Sequence, residues 1–340
     1  MYRYFAGWCR RLLPALVLPL LLIACTSPEN SPSAGGSQSR SSYANEVYYW
    51  ISQNSTLPLF VAHDQPALRA AARELGVKVR IAGPTTIDLP AFIATINQVC
   101  AQHPAGVIVV GWDPSLTAAV NQCIAERVPT VTDDADLPES NRLAFVGTDW
   151  YDIGVAQAQA MIKATGGSGE VATLSIINAD NMKEAVRGFT DTLRSTNLRI
   201  VANEDDGGDA SQAASKTASL LAAHPNLVGI AGFDSESGAG IVRALEEAGK
   251  AGKIKVTAME QTPAFFQTIK KGEVQAIIIQ KRELFTYYAL KLLVDFNHNG
   301  LHIAGLDRWA APPIPRIVNT GLLVATADNI DDIISHLPKQ

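Results

Sequence analysis

The chain has 340 residues, of which 47% are hydrophobic and 18% charged, with 25 Gly, 18 Pro and a formal net charge of −5. These values exclude a disordered or collagen-like chain and allow two domains of ~150 residues each. The acidic balance also argues against a nucleic-acid partner, whose phosphates it would repel. In chain order the first element is the apolar run Leu12–Ala24, preceded by Arg3, Arg10 and Arg11. It is shorter than the ~20 residues of a membrane span, and it has the charged start and apolar centre of an export signal. No other segment is comparably apolar, so the remainder is expected to be soluble.

The run ends in Leu22-Ile23-Ala24-Cys25, which resembles the lipobox of bacterial lipoproteins. The resemblance implies that residues 1–24 are removed and that Cys25 is lipidated as the new N-terminus. The protein would then be exported and membrane-anchored, on the periplasmic or cell-surface side. Arg10-Arg11 is reminiscent of twin-arginine export, but its flanking residues fit that route poorly. Removing residues 1–24 deletes three Arg and no acid, leaving 25 basic and 33 acidic side chains and a net charge of −8. Cys9 leaves with the signal, so Cys100 and Cys123 remain at the ends of two successive helices. Outside the cytoplasm they either pair as a disulfide or stand as two buried thiols. With no further Cys pair and no His at ligand spacing, no metal site is expected.

Residues 25–45 are rich in Ser, Pro and Gly and read as a flexible tether. Beyond them, short apolar runs alternate with amphipathic segments. Strands are predicted at Val47–Ile51, Val77–Ala82, Val107–Val110, Thr130–Thr132 and Ala144–Val146. A second set follows at Val171–Ile177, Leu198–Ala202, Leu227–Ala231, Ile254–Ala258 and Val274–Ile279. Runs such as VIVV and AIII do not alternate with polar residues, as expected of parallel strands covered on both faces. Strands alternating with helices imply an α/β fold with right-handed crossovers.

One internal repeat is informative. His103–Glu126 reads HPAGVIVVGWDPSLTAAVNQCIAE, and His224–Glu247 reads HPNLVGIAGFDSESGAGIVRALEE. The offset is a constant 121 residues without a gap, too long for a solenoid repeat. It suits two similar lobes that face each other.

Ligands of open parallel sheets bind beyond the carboxyl ends of the strands. The loops to inspect therefore hold Ser52-Gln53-Asn54, Gly111-Trp112-Asp113, Asp133-Asp134, Asn178 to Asn181, Gly232-Phe233-Asp234, Glu260-Gln261 and Gln280. They combine carboxylates, amides and aromatics with almost no basic group and no His. Carboxylates and amides hydrogen-bond hydroxyls, and aromatic faces cover the C–H side of a sugar or cyclitol ring. Asp113 and Asp234 equally suit an N-cap role for the helix that follows.

Enzyme signatures are missing. Gly166–Glu170 lacks the Lys-Ser/Thr ending of a phosphate loop, Ser235–Gly238 does not form a nucleophile elbow, and no His stands beside a nucleophile. Neither catalysis nor a cofactor is expected. The run Glu204–Asp209 lacks the alternating ligand spacing of a calcium loop and reads as a solvated turn.

From about Val47 to Val324 the chain resembles the bacterial periplasmic sugar-binding proteins of the ribose- and galactose-binding type, the solute receptors of ABC transporters. The passages that carry the likeness are Val128–Asp134, Arg142–Asp149, Gly188-Phe189, Ser235–Gly249 and Val274–Gln280. The likeness implies the type I periplasmic binding protein fold: two Rossmann-like lobes with parallel sheets, joined by a three-segment hinge. The N-terminal lobe is expected at 46–148 and 281–311, the C-terminal lobe at 149–280 and 312–326, and a C-terminal helix or tail at 327–340. The hinge would fall near Thr148, Gln280 and Ala311.

The resemblance further implies a sugar-hydroxyl acceptor at Asp134, a ring-stacking aromatic at Phe60, a carboxylate at Glu260 and a hinge amide at Gln280. Asn54, Trp112, Asn181, Phe233 and Asp234 complete the expected ligand-binding set. Four positions depart from the family pattern. Leu57 replaces a polar residue, Ala135 and Ala185 each replace an Arg, and Phe233 replaces an Asn. These departures argue against ribose itself and toward a deoxy or amino sugar or a cyclitol, with Lys183 and Arg187 as substitute cations. The expected protein is a lipid-anchored monomer that hands a sugar-like ligand to an ABC permease. The alternative is a receptor presenting a signal molecule to a membrane kinase or chemoreceptor.

Overall fold

The computed structural model describes residues 43–259 and 261–336. The export segment, most of the tether, Cys25 and Glu260 lie outside the described residues.

The first lobe opens with β1 (Val47–Ile51), α1 (Gln65–Leu75), β2 (Lys78–Ala82), α2 (Leu89–Cys100), β3 (Gly106–Val110), α3 (Thr117–Ala125), β4 (Thr130–Asp133) and β5 (Phe145–Gly147). The second continues with α4 (Trp150–Thr165), β6 (Ser168–Ser175), α5 (Asp180–Leu193), β7 (Asn197–Asp205), α6 (Ala210–Ala223), β8 (Leu227–Gly232), α7 (Ser237–Glu247), β9 (Lys255–Ala258), α8 (Pro263–Lys270) and β10 (Ala276–Gln280). The chain then returns through α9 (Glu283–His298) and β11 (Ile317–Asn319) to β12 (Leu322–Ala325) and α10 (Ile330–Ser335).

Local chemistry sets these elements. All five residues of β3 and of β10 are buried, because helices cover both faces of a parallel sheet. Asp88, Asp149 and Asp209 cap α2, α4 and α6 by accepting from backbone N–H groups of the first turn. Gly76 ends α1 in the left-handed conformation that glycine adopts without steric cost.

Each lobe holds one six-stranded sheet, in the orders β11-β5-β4-β3-β1-β2 and β12-β10-β9-β8-β6-β7. Pairing is parallel throughout except for β12, which runs antiparallel to β10. The internal repeat maps onto β3 and α3 in one sheet and β8 and α7 in the other. Helix α9 packs on α1 and on β3 to β5, so it belongs to the first lobe although it follows β10. Helix α4 packs on α5 and on β8 to β10 of the second.

Two elements correct the expected lobe boundaries. Ile317 pairs with Phe145 and Asn319 with Gly147, so residues up to 319 belong to the first lobe. The third crossing therefore falls at Thr320-Gly321, not at Ala311. It is tied to the first, since Thr148 Oγ1 donates to the Gly321 carbonyl at 3.2 Å and Thr320 N to the Gly147 carbonyl at 2.8 Å. The three-residue β11 is too short for periodicity to mark, whereas β12 is the apolar run Leu322–Ala325.

Cys100 and Cys123 form a disulfide between the ends of α2 and α3, with Cα atoms 5.3 Å apart. Of the two arrangements open to these cysteines, this is the one adopted. No helix among the described residues is long and apolar enough to cross a membrane.

Candidate ligand-binding cleft

The strand ends of both sheets converge on a cavity of about 360 Å³, within the ~300–1,000 Å³ of small-molecule sites. Of the nine expected ligand residues, eight line it: Asn54, Phe60, Trp112, Asp134, Asn181, Phe233, Asp234 and Gln280. The ninth, Glu260, lies outside the described residues. Much of the remaining wall is apolar, with Leu57, Leu59, Ile87, Trp150, Ile176 and Met182.

The strand-end loops position these side chains in different ways. Asp113 accepts from Ser115 N at 2.9 Å, and Asp234 Oδ1 accepts from Glu236 N and Ser237 N, both at 2.8 Å. Both halves of the repeat thus use the aspartate to turn the chain into the next helix, and the aromatic beside it reaches the cavity. Phe233 packs edge-on against Phe189 at 5.6 Å, and Phe60 edge-on against Trp50 at 5.3 Å. Asn54 Oδ1 accepts from Thr56 N at 3.2 Å.

Four neutral polar atoms of this wall are buried and have no hydrogen-bond partner among the described residues: Trp112 Nε1, Gln280 Nε2, Asn181 Oδ1 and Gln53 Oε1. A buried polar atom left unpaired costs ~1–3 kcal/mol, so a ligand that pairs them relieves that cost. Two are donors and two are acceptors, and none carries charge.

Beneath them lies a residue that the strand-end loops did not reveal. Arg282, 1% exposed, follows Gln280 by two positions and also lines the cavity. It bonds Asp64 at the start of α1 and Asp134 after β4. The expectation of a cleft almost without basic groups is therefore corrected. No local pattern marks Arg282, because its partners are distant in sequence. Lys183 and Arg187 do not supply cations to the cavity. They pair with Asp180 at 2.7 Å and with Glu184 on the half-exposed face of α5.

Burial raises the Asp64 carboxyl to about 6 against the opposing pull of Arg282. Burial, with the charges of Asp64 and Asp134, pushes Asp133 well above the carboxylate range, and Trp50 Nε1 donates to it at 2.9 Å. Asp134 adopts a left-handed backbone (φ 61°), a conformation in which Asp is enriched. Its carbonyl accepts from Trp150 Nε1 at 2.8 Å.

The run Glu204–Asp209 is also not a solvated turn throughout. Asp206 is 0% exposed, and Ser237 Oγ lies 2.5 Å from both its carboxyl and that of Asp234. One hydroxyl hydrogen cannot serve two carboxylates. The two contacts together call for a further proton on the pair, in keeping with the Asp206 carboxyl, raised to about 7 by burial and by Asp234. Among the described residues no group of three His, Cys, Asp or Glu is placed to hold a metal ion.

Two six-stranded α/β lobes, three crossings and a cavity at facing strand ends define the class: this is the type I periplasmic binding protein fold. The profile of the periplasmic binding protein domain family matches residues 48–298, and the chain belongs to that family. Among curated relatives, the D-allose-binding periplasmic protein of Escherichia coli K12 is 28% identical over 160 residues, 46% of this chain. The chain spans about half the length of that relative, 51%. A sugar-binding protein of a sugar ABC transporter from Bacillus halodurans superposes with a TM-score of 0.77 at 28% identity, covering 84% of this chain and 99% of that one. GanP, a glucose-galactose binding protein from Geobacillus stearothermophilus, gives 0.77 at 25% identity, covering 87% and 99%.

Proposed function

We propose that this chain is a lipid-anchored, extracytoplasmic solute-binding protein of an ABC transporter that captures a sugar or sugar-like ligand by closure of its two lobes. The observation that carries the reading is the interlobe cavity, where unpaired neutral donors and acceptors stand beside indole and phenyl rings. Amides pair with hydroxyl and ring oxygens, and aromatic faces cover C–H surface. The names of the relatives and neighbours, all sugar-binding proteins, support the same class of ligand.

The mechanism follows from the crossings. The open form holds ligand on one lobe, and rotation near Thr148, Gln280 and Thr320 brings the second wall onto it. Only the ligand's higher affinity for the closed form drives that shift. The lipid anchor rests on Cys25 and its lipobox-like context.

Mass spectrometry of small molecules released by denaturing the purified protein tests the ligand class. A sugar, deoxy sugar or cyclitol is the expected result. Recovery of an unrelated anion or peptide would refute it. The anchor is tested separately by metabolic labelling with a radioactive fatty acid, which Cys25→Ala should abolish.

A further inference from the structure

Arg282 lines the cavity but has no hydrogen-bond donor left for a ligand. Its Nε donates to Asp64 Oδ2 at 2.9 Å, and Nη2 donates to Asp64 Oδ1 and Asp134 Oδ2, both at 3.0 Å. Nη1 donates to Asp134 Oδ1 at 3.0 Å and to Gln280 Oε1 at 3.1 Å. A guanidinium has five N–H groups, and each of these five has an acceptor. The rings of Phe60 and Phe285 lie against it, their centroids 5.1 and 5.2 Å from Cζ. A buried cation held this fully acts on the site through its neighbours.

The neighbour it acts on is Gln280. Turning that amide over would set its NH₂ group against the Arg282 N–H, donor facing donor in a buried place, and would leave the guanidinium one acceptor short. The carbonyl end therefore stays on Arg282. The amino end is turned away from Arg282, and Nε2, buried on a residue that lines the cavity, is unpaired among the described residues. Gln280 closes β10 of the second lobe, yet Asp64 and Asp134, which hold Arg282, both belong to the first. The amide's orientation is thus referenced to the first lobe.

We infer that Arg282 is a positioning residue that makes Gln280 an obligate hydrogen-bond donor, so that the cleft selects a ligand presenting an acceptor oxygen, and not an ammonium group, at that point. The inference rests on the reading of Gln280 as a ligand contact. It narrows the sugar-like candidates to those with a ring, hydroxyl or carbonyl oxygen there and removes an amino substituent from that position.

Gln280→Glu is the discriminating variant, because it still offers Arg282 an oxygen while turning the other end from donor to acceptor. In calorimetric titrations of the full chain with D-allose, D-ribose, D-glucose and D-galactose, any probe that binds the wild type should bind Gln280→Glu at least about tenfold more weakly. Arg282→Met should show a similar loss, and Arg282→Lys should recover part of it. Equal affinity in Gln280→Glu would overturn the inference. If no probe binds the wild type, the ligand class is left to the mass spectrometry above, and neutron diffraction of the protein decides the Arg282 claim. Deuterons of the Gln280 amide on the side away from Arg282 support it, and deuterons on the Arg282 side overturn it.

Discussion

Arg282 and Asp64 lie 218 residues apart in sequence and meet through two hydrogen bonds of 2.9 and 3.0 Å, with the pair almost fully excluded from solvent. Removing one partner of such a pair leaves a buried charge short of its counter-ion, which typically costs about 3–5 kcal/mol. Asp64→Ala should lower the urea midpoint by a corresponding amount. Asp64→Asn, which keeps one acceptor oxygen, should cost less. A loss in Asp64→Ala below about 1 kcal/mol would mean that Asp134 alone satisfies the guanidinium.

Trp112→Phe separates the two contributions of that side chain. The ring remains to cover an apolar ligand face, while the indole N–H, unpaired among the described residues, is lost. One neutral hydrogen bond contributes about 0.5–1.5 kcal/mol, so the affinity for the ligand recovered from the purified protein should fall several-fold. Unchanged affinity by calorimetry would place Nε1 outside the ligand contacts.

Stability should decline with rising pH. The Asp206 carboxyl is raised to about 7 in the fold by burial and by Asp234, against about 3.9 in an unfolded chain. Between those values the fold binds the proton more tightly than the unfolded state does. The stabilisation is complete below the lower value and disappears as pH rises through the higher one. Asp64, raised to about 6, acts in the same direction. The melting temperature should therefore fall from about pH 5 to about pH 8, with a shallower slope in Asp206→Asn. Identical slopes in wild type and variant would exclude Asp206.

The Cys100–Cys123 disulfide closes a loop of sequence separation 23, for which the chain-entropy account gives about 3 kcal/mol. The Cys100→Ala/Cys123→Ala double variant should lower the denaturant midpoint accordingly, and reduction of the wild type should reproduce the shift. Ligand affinity should change little, since neither cysteine lines the cavity.

Gly154 on α4 meets α5 backbone to backbone, so a Cβ there would lie 1.8 Å from the Ala185 carbonyl oxygen. Gly154→Ala should force the two helices apart at a cost of about 1–3 kcal/mol. Differential scanning calorimetry should register the loss, and an unchanged melting temperature would show that α5 can shift freely.

Part of this protein is determined by local sequence. The buried strands VIVV and AIII and the capping aspartates require only near neighbours along the chain to be read, and the His-Pro…Gly-aromatic-Asp repeat only the chain compared with itself. Strand ends follow from strands, so Trp112, Phe233 and Gln280 could be assigned to the cleft before any coordinates were known. Tertiary structure decided the partnerships. Asp134, expected as a free acceptor, is held by an arginine 148 residues away, and Asp206 shares a hydroxyl with Asp234 inside the second lobe. The third crossing likewise depends on which sheet edge is open to β11 and β12, strands of only three and four residues. Periodicity and capping are properties of adjacent residues, whereas charge pairing and edge pairing depend on which distant groups the packed lobes bring within 3 Å or so of one another.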